Sequence, residues 1–188
     1  MKLSEWIKIL EELKSKGLRI VHISSLSSLT DINARSLSVT IWRLEKYGLV
    51  ERVGKGWICI DKCTPIDLVK TLFPSAYLSL EWALHYHDVL DQEIKIVTAV
   101  WLSKTKRAKH GKYMFEIHSI KKSLYFGFDT KNMVASPEKA LLDTIYFRKN
   151  YPSYELNLDI LNYNRVKIYS KSYPKRVRKT IRRIFKEM

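Results

Sequence analysis

Acidic side chains are scarce: 19 Asp and Glu stand against 34 Lys and Arg, leaving a formal charge of +15 and a pI near 9.8. Cysteine is scarcer, and Cys59 and Cys63 make no disulfide framework. Nor does one such pair supply a four-ligand zinc site without distant help. No apolar run approaches the ~20 residues of a membrane span. Met1-Lys2-Leu3-Ser4-Glu5-Trp6 opens as an amphipathic helix rather than a secretory signal, so a cytoplasmic location without membrane contact is the expectation. Glycine is too sparse for a phosphate-cradling loop, and no Ser nucleophile elbow or Cys/His pairing stands in a recognisable context. A single glutamine agrees with avoidance of heat-labile amides, although six asparagines remain.

What is present suffices for folding. Apolar residues make up 46% and aromatics 12%, more than a disordered polycation carries. A mass of 22.2 kDa leaves room for one good core or two small ones. Excess positive charge attracts polyanions, nucleic acid first among them, with an anionic membrane surface or an acidic protein as other takers. The excess is +4 over residues 1–62, +4 over 63–150 and +7 over 151–188, so the final segment is the densest.

Leu3, Trp6, Ile7, Leu10 and Leu13 recur at helical spacing after a candidate cap at Ser4. A short β-like run over 18–21 and a second helix over 22–29 follow. Asn33 is placed to cap a third helix, in which Leu37, Ile41 and Leu44 form one stripe while Arg35, Ser36, Val39, Thr40 and Arg43 fall largely opposite. Residues 49–60 read as a β-hairpin with the basic tip Gly54-Lys55-Gly56. Three helices and then a basic hairpin are the order of a winged helix-turn-helix, and the stretch 32–60 resembles the third helix and wing of such regulators. A major groove admits one helix whose outward side is short, polar or cationic. That places Arg35, Ser36 and Thr40 near bases and Val39 on a thymine methyl. Arg43, Arg52 and Lys55 then meet phosphates or the minor groove. The bland alternative is a winged fold whose outward helix face is merely solvated or meets protein.

Residues 61–74 form a connector with a short helix between Pro65 and Pro74, and they mark the boundary between a domain at 1–62 and another at 63–188. No Gly/Ser-rich spacer intervenes. A helix is expected over 77–87, then strands over 94–102, 113–118 and 124–128, antiparallel in part. Another helix opens at Ser136-Pro137 with Ala140, Leu141, Leu142, Ile145 and Tyr146 buried. Between two strands, Lys104, Lys106, Arg107, Lys109, His110 and Lys112 read as an exposed hairpin tip and a phosphate contact. Glu155 to Tyr169 reads as a short helix and a strand. The last segment, from Ser172, is a helix with Val177, Ile181, Ile184 and Phe185 inward. Lys175, Arg176, Arg178, Lys179, Arg182, Arg183 and Lys186 surround that stripe with only Glu187 in opposition. Like charges at these spacings repel, and nucleic-acid phosphate would relieve the repulsion, with Arg178 and Arg182 as contacts.

Glu81, His85, His87 and Asp88 evoke a metal site, and Glu138, Lys139 and Asp143 evoke acid–base chemistry. Two histidines two residues apart on a helix diverge by about 200°. Amphipathic packing, a favourable helix-end charge and a one-turn ion pair account for the rest. No metal, cofactor or catalytic residue is expected.

The segments PSAYLSLEWALHYHDVL (74–90), VTAVWLSKTKR (97–107), FEIHSI (115–120), LYFGF (124–128) and VASPEKALLDTIYF (134–147) resemble the AbiEi family, with SPEKALLD (136–143) the strongest marker. The family consists of antitoxins of type IV toxin–antitoxin systems and regulators. The resemblance implies a winged helix that binds double-stranded operator DNA and represses its own operon. It also implies a carboxy-terminal domain opposing a nucleotidyltransferase-like toxin or engaging that toxin's RNA target. The fold class expected is α+β, with the winged helix-turn-helix followed by a mixed α/β domain holding a small sheet and a basic final helix. The alternatives are an interaction module that binds a toxin or RNA through the second domain, and a nucleic-acid-processing enzyme. An enzyme of that kind needs clustered acidic ligands, and Asp67, Glu81, Asp88, Asp91, Asp129, Glu138 and Asp143 are scattered along the chain.

Overall fold

A computed structural model describes residues 1–149 and 156–185. The chain is mixed α/β, with eight α-helices and two sheets among the described residues. It forms two compact units, Met1–Phe73 with His110–Lys112, and Pro74–Lys109 with Tyr113–Met188. None of the described helices is long and apolar enough to cross a membrane.

In the first unit, α1 (Leu3–Ser15) starts from Lys2 rather than Ser4, because the Glu5 carboxylate accepts the Lys2 backbone N–H at 2.7 Å and closes the first turn. After β1 (Ile20–His22), α2 (Ile23–Thr30) is capped by His22, and Asp31 turns the chain at φ 52°. Then α3 (Ala34–Lys46) begins at Asn33, whose side chain accepts the Ser36 N–H at 2.9 Å. Strands β2 (Glu51–Gly54) and β3 (Trp57–Cys59) meet across the two-residue turn Lys55-Gly56. The sheet is antiparallel in the order β1-β3-β2. Trp6, Leu10, Leu26, Leu37, Ile41, Leu44, Ile58 and Ile60 are buried together, each aliphatic contributing about 1.5–3 kcal/mol by leaving water.

The division at Phe73 places the connector with this unit, later than the expected boundary at 62. Its helix α4 (Pro65–Leu72) is opened by a Thr64–Asp67 capping box. Asp67 also meets Arg19 at 3.2 Å, and a disulfide joins Cys59 in β3 to Cys63. These ties hold α4 against the first core. Burial works to raise the Asp67 carboxyl, but hydrogen bonds from Thr64 and the Arg19 guanidinium outweigh it and hold the group below its usual range. Disulfides persist in oxidising compartments and in intracellular proteins of heat-adapted organisms.

The second unit is built on a sheet in the order β6-β7-β5-β4-β9-β8. Its strands are β4 (Tyr77–Leu78), β5 (Ile96–Trp101), β6 (Lys106–His110), β7 (Tyr113–Ser119), β8 (Phe128–Asp129) and β9 (Val134–Ala135). Two sequence expectations are corrected. Tyr77 and Leu78 are strand, paired with Val100 and Ala99, and α5 (Leu80–Tyr86) starts only after Ser79. A short buried run reads alike as helix or strand by periodicity, and pairing decided it. Residues 124–128 are not one strand, because a 3-10 turn at Lys122–Leu124 and Gly127 at φ 75° bend the chain before β8. The strands β5 and β7 are parallel, with Ile96 opposite Met114.

Helix α6 (Pro137–Arg148) is capped by Ser136 and buried continuously from Glu138 to Ile145, whereas Tyr146 is only half-buried. The stretch expected as a helix and a strand is a bridge from Leu156 to Leu90, a 3-10 turn at Leu158–Ile160, and α7 (Tyr163–Ser170). Helix α8 (Lys175–Ile184) buries Val177, Ile181 and Ile184. Glu155, Lys186 and Glu187 lie outside the described residues.

Candidate nucleic-acid interface

Helix α3 has two unlike sides. Leu37, Ile41 and Leu44 are at most 1% exposed and anchor it. Arg35, Ser36, Val39 and Arg43 face solvent, with Thr40 half-exposed. Thr40 Oγ1 donates to the Ser36 carbonyl at 3.1 Å, and no ion pair engages Arg35 or Arg43 among the described residues. Sequence reasoning overlooked Trp42, 53% exposed on the same side, with the Lys46 ammonium 4.7 Å from its ring centre. A tryptophan one turn from both Ser38 and Lys46, on the polar side of an amphipathic helix, was the available signal.

The hairpin turn is built for a close approach. Gly56 sits at φ 77°, and a Cβ there would stand 2.5 Å from His22 Nε2. Its carbonyl accepts the Ile23 N–H at 2.7 Å, so the turn is fastened to the start of α2 while the Lys55 side chain is exposed. Arg52 is engaged inside the unit. Its Nε lies 3.2 Å from Glu45 Oε2 and its backbone N–H donates to Glu45 Oε1 at 3.1 Å, joining β2 to the end of α3.

The run expected as a hairpin tip is mostly strand, since Lys106–His110 forms β6 at the sheet edge. Alternation along that strand separates its cations instead of pooling them in a loop. Lys104 and Lys109 are exposed, and Arg107 Nη2 reaches Glu116 Oε1 at 3.5 Å. Glu116 belongs to a cluster that chain order concealed. Arg148 bridges it at 3.4 Å to Glu81 at 2.7 Å, and His118 Nε2 stands 3.2 Å from Glu116. Of this cluster, Glu81, Glu116 and Arg148 border a cavity of about 330 Å³. Burial works to raise the Glu116 carboxyl, but Arg148, His118 and Arg107 outweigh it and hold the group below the usual carboxylate range. Burial likewise lowers His118.

His85 and His87 do not converge. His85 Nδ1 faces the Leu90 carbonyl and His87 Nε2 the Ala135 carbonyl. Among the described residues no three His, Cys, Asp or Glu side chains are grouped to hold a metal.

The SPEKALLD segment is a sealed polar knot. Ser136 accepts the Lys139 N–H, and Glu138, 2% exposed, accepts the Asn162 N–H at 3.1 Å. Lys139 and Asp143, four residues apart on α6, meet at 2.6 Å with both side chains fully buried. Tyr173 OH donates to Asp143 Oδ1 at 2.6 Å, while Ser79 Oγ and Tyr77 OH donate to Oδ2 at 2.8 and 3.1 Å. The rings of Phe126, Tyr173 and Tyr77 lie 5.0–5.6 Å from the Lys139 ammonium. Burial pulls that ammonium below its ordinary value, against the hold of Asp143. Burial and the adjacent carboxylate push both tyrosine hydroxyls upward.

The cations of α8 divide about its buried stripe. On one flank Arg178 and Arg182 line a cavity of about 310 Å³ with Tyr163, Lys167 and Lys171. On the other, Arg176, Lys179, Arg183 and Lys149 line one of about 350 Å³. Arg176 is anchored, donating to the Tyr146 carbonyl at 2.8 Å.

No protein-family model matches this chain, and no curated protein matches it. Among solved structures, the crystal structure of the RV2827C protein from Mycobacterium tuberculosis is similar, with a TM-score of 0.63 at 14% identity over 90% of this chain and 72% of that one. At that identity the likeness shows the fold alone.

Proposed function

We propose that the first unit is a winged helix-turn-helix that reads duplex DNA, with α3 in the major groove and the Lys55-Gly56 turn at the backbone or minor groove. The observation that carries this is the division of α3: three leucine and isoleucine anchors hidden, and Arg35, Ser36, Val39 and Arg43 turned outward. A major groove about 12 Å wide accepts such a helix, and its edges offer acceptors to Arg35 and a thymine methyl to Val39. Arg43 and Lys55 supply phosphate contacts, which set register rather than sequence. Arg52 acts as a brace through Glu45, keeping the wing and α3 at a fixed spacing. In this reading the chain is a transcriptional regulator that performs no chemistry. It resembles AbiEi-type antitoxins that repress their own operon, with the second unit opposing a nucleotidyltransferase-like toxin.

The test is a mobility shift on the DNA upstream of the gene, with mixed-sequence duplex as competitor. Arg35→Ala with Thr40→Ala is expected to weaken specific binding about tenfold or more, at ~1–3 kcal/mol per lost base contact, and to leave non-specific binding nearly unchanged. Lys104→Gln with Lys109→Gln is expected to weaken all duplex binding and reduce the salt slope by about 1.8. Equal loss of specific and non-specific binding in the α3 variant, or no preference for the upstream fragment in the parent, defeats the proposal. Trp42 favours a second reading, in which the α3 face docks a protein. Promoter binding that survives Trp42→Ala while capture of a toxin is lost would establish it.

A further inference from the structure

Four cations converge in the cavity between α7 and α8. Arg178 and Arg182 are one turn apart on α8, and Lys167 and Lys171 one turn apart along α7 and its end. All four are exposed, and no carboxylate pairs with any of them among the described residues. Glu138, on the α6 helix that packs against α7, is committed to Arg165 and the Asn162 N–H. Like charges at one-turn spacing repel, and the first turn of α8 carries no acidic residue to meet its positive end. Among the described residues, folding has therefore gathered cations in a concavity without supplying a paired carboxylate.

Tyr163, 53% exposed, lines the same hollow, with the Phe185 ring tilted against it at 5.1 Å between ring centres. A supported aromatic face beside a cationic hollow has two functions at once, one for a π-face and one for phosphate. Duplex DNA offers only the second, because its bases are stacked and paired. A single strand offers both.

We propose that α7 and α8 form a binding cleft for single-stranded nucleic acid, with Tyr163 stacking on a base and Lys167, Lys171, Arg178 and Arg182 holding its phosphates. A second cation-lined hollow, with Arg176, Lys179, Arg183 and Lys149, lies on the other flank of α8 and offers further phosphate contacts. Arg178 and Arg182, read from sequence as contacts to nucleic-acid phosphate, belong to this cleft. The site is separate from α3, so it stands whether or not the first unit reads an operator.

The experiment uses the full chain and fluorescence anisotropy with a labelled oligouridylate and an oligothymidylate, each about twelve nucleotides long, against a mixed-sequence duplex of equal length. The single strands are expected to bind more tightly than the duplex. Tyr163→Ala is expected to weaken single-strand binding about tenfold and to leave duplex binding unchanged. Arg178→Gln with Arg182→Gln is expected to lower the single-strand salt slope by about 1.4. If that variant loses its parental melting transition, Lys167→Gln with Lys171→Gln on the opposite wall must give the same reduction. Arg35→Ala with Thr40→Ala is expected to change nothing here, which separates this site from the α3 proposal. Equal affinity for duplex, indifference to Tyr163→Ala, or stronger competition by a polyglutamate peptide than by unlabelled oligonucleotide would each overturn the inference, the last in favour of an acidic protein.

Discussion

Asp143→Ala is the sharpest perturbation of the second unit. Its carboxylate accepts from four groups, Lys139 Nζ and Tyr173 OH on one oxygen, Ser79 Oγ and Tyr77 OH on the other, and the side chain is fully buried. Removing it leaves an ammonium in the interior with the Tyr173 hydroxyl as its remaining hydrogen-bond partner. Breaking a buried pair in this way costs about 3–5 kcal/mol, and each stranded hydroxyl adds about 1–3 kcal/mol. The low end already rivals the ~5–15 kcal/mol that stabilises an ordinary domain. With a urea slope of about 2 kcal/mol per molar, the midpoint is expected to fall by at least ~1.5 M. Amide hydrogen exchange along α6 reads the second unit directly. The apolar double variant Lys139→Met with Asp143→Leu is expected to recover most of the loss, because replacing a buried ion pair with packed hydrocarbon is close to neutral. A loss below about 1 kcal/mol for Asp143→Ala would refute the account of α6 as a sealed polar centre.

Two further outcomes follow from separate parts of the structure. Gly56→Ala places a Cβ 2.5 Å from His22 Nε2 at a φ of 77°, so it is expected to destabilise the first unit by about 1–3 kcal/mol in thermal melts. An unchanged melting temperature would mean that the turn does not approach α2. Acid stability is expected to erode in two stages, because both His118 and Glu116 lie below their ordinary values of 6.5 and 4.5 in the folded state. The unfolded chain then binds protons more readily. The stability is present in full above pH 6.5. Its His118 part fades as pH falls below that value, and its Glu116 part fades below 4.5. Urea midpoints across pH 7 to 3 check this, with His118→Gln expected to remove the upper stage. A flat profile for the parent would contradict the assigned shifts.

Local patterns were legible wherever one helix or one turn settled the matter. The anchors of α1, α3 and α8, the Asn33 and Ser136 caps and the Lys55-Gly56 hairpin all follow from spacing within a dozen residues. The second sheet did not, because parallel pairing of β5 with β7 and the two-residue strands β4 and β9 depend on partners distant in the chain. The Glu81–Arg148–Glu116 cluster was hidden for the same reason, and Lys139 with Asp143 read only as a one-turn ion pair, its burial decided by the enclosure of α6 from Glu138 to Ile145.

Sequence alone determined the charge surplus, the two-sided character of α3 and the cationic coat around the stripe of α8, since composition and helical period need no knowledge of neighbours. Only the tertiary structure decided which charges are buried, which are already matched and which are left facing a hollow. Arg52 and Arg107 have carboxylate partners, whereas Arg178 and Arg182 have none among the described residues. Burial and pairing are sums over elements brought together from across the chain, and no window of consecutive residues contains them.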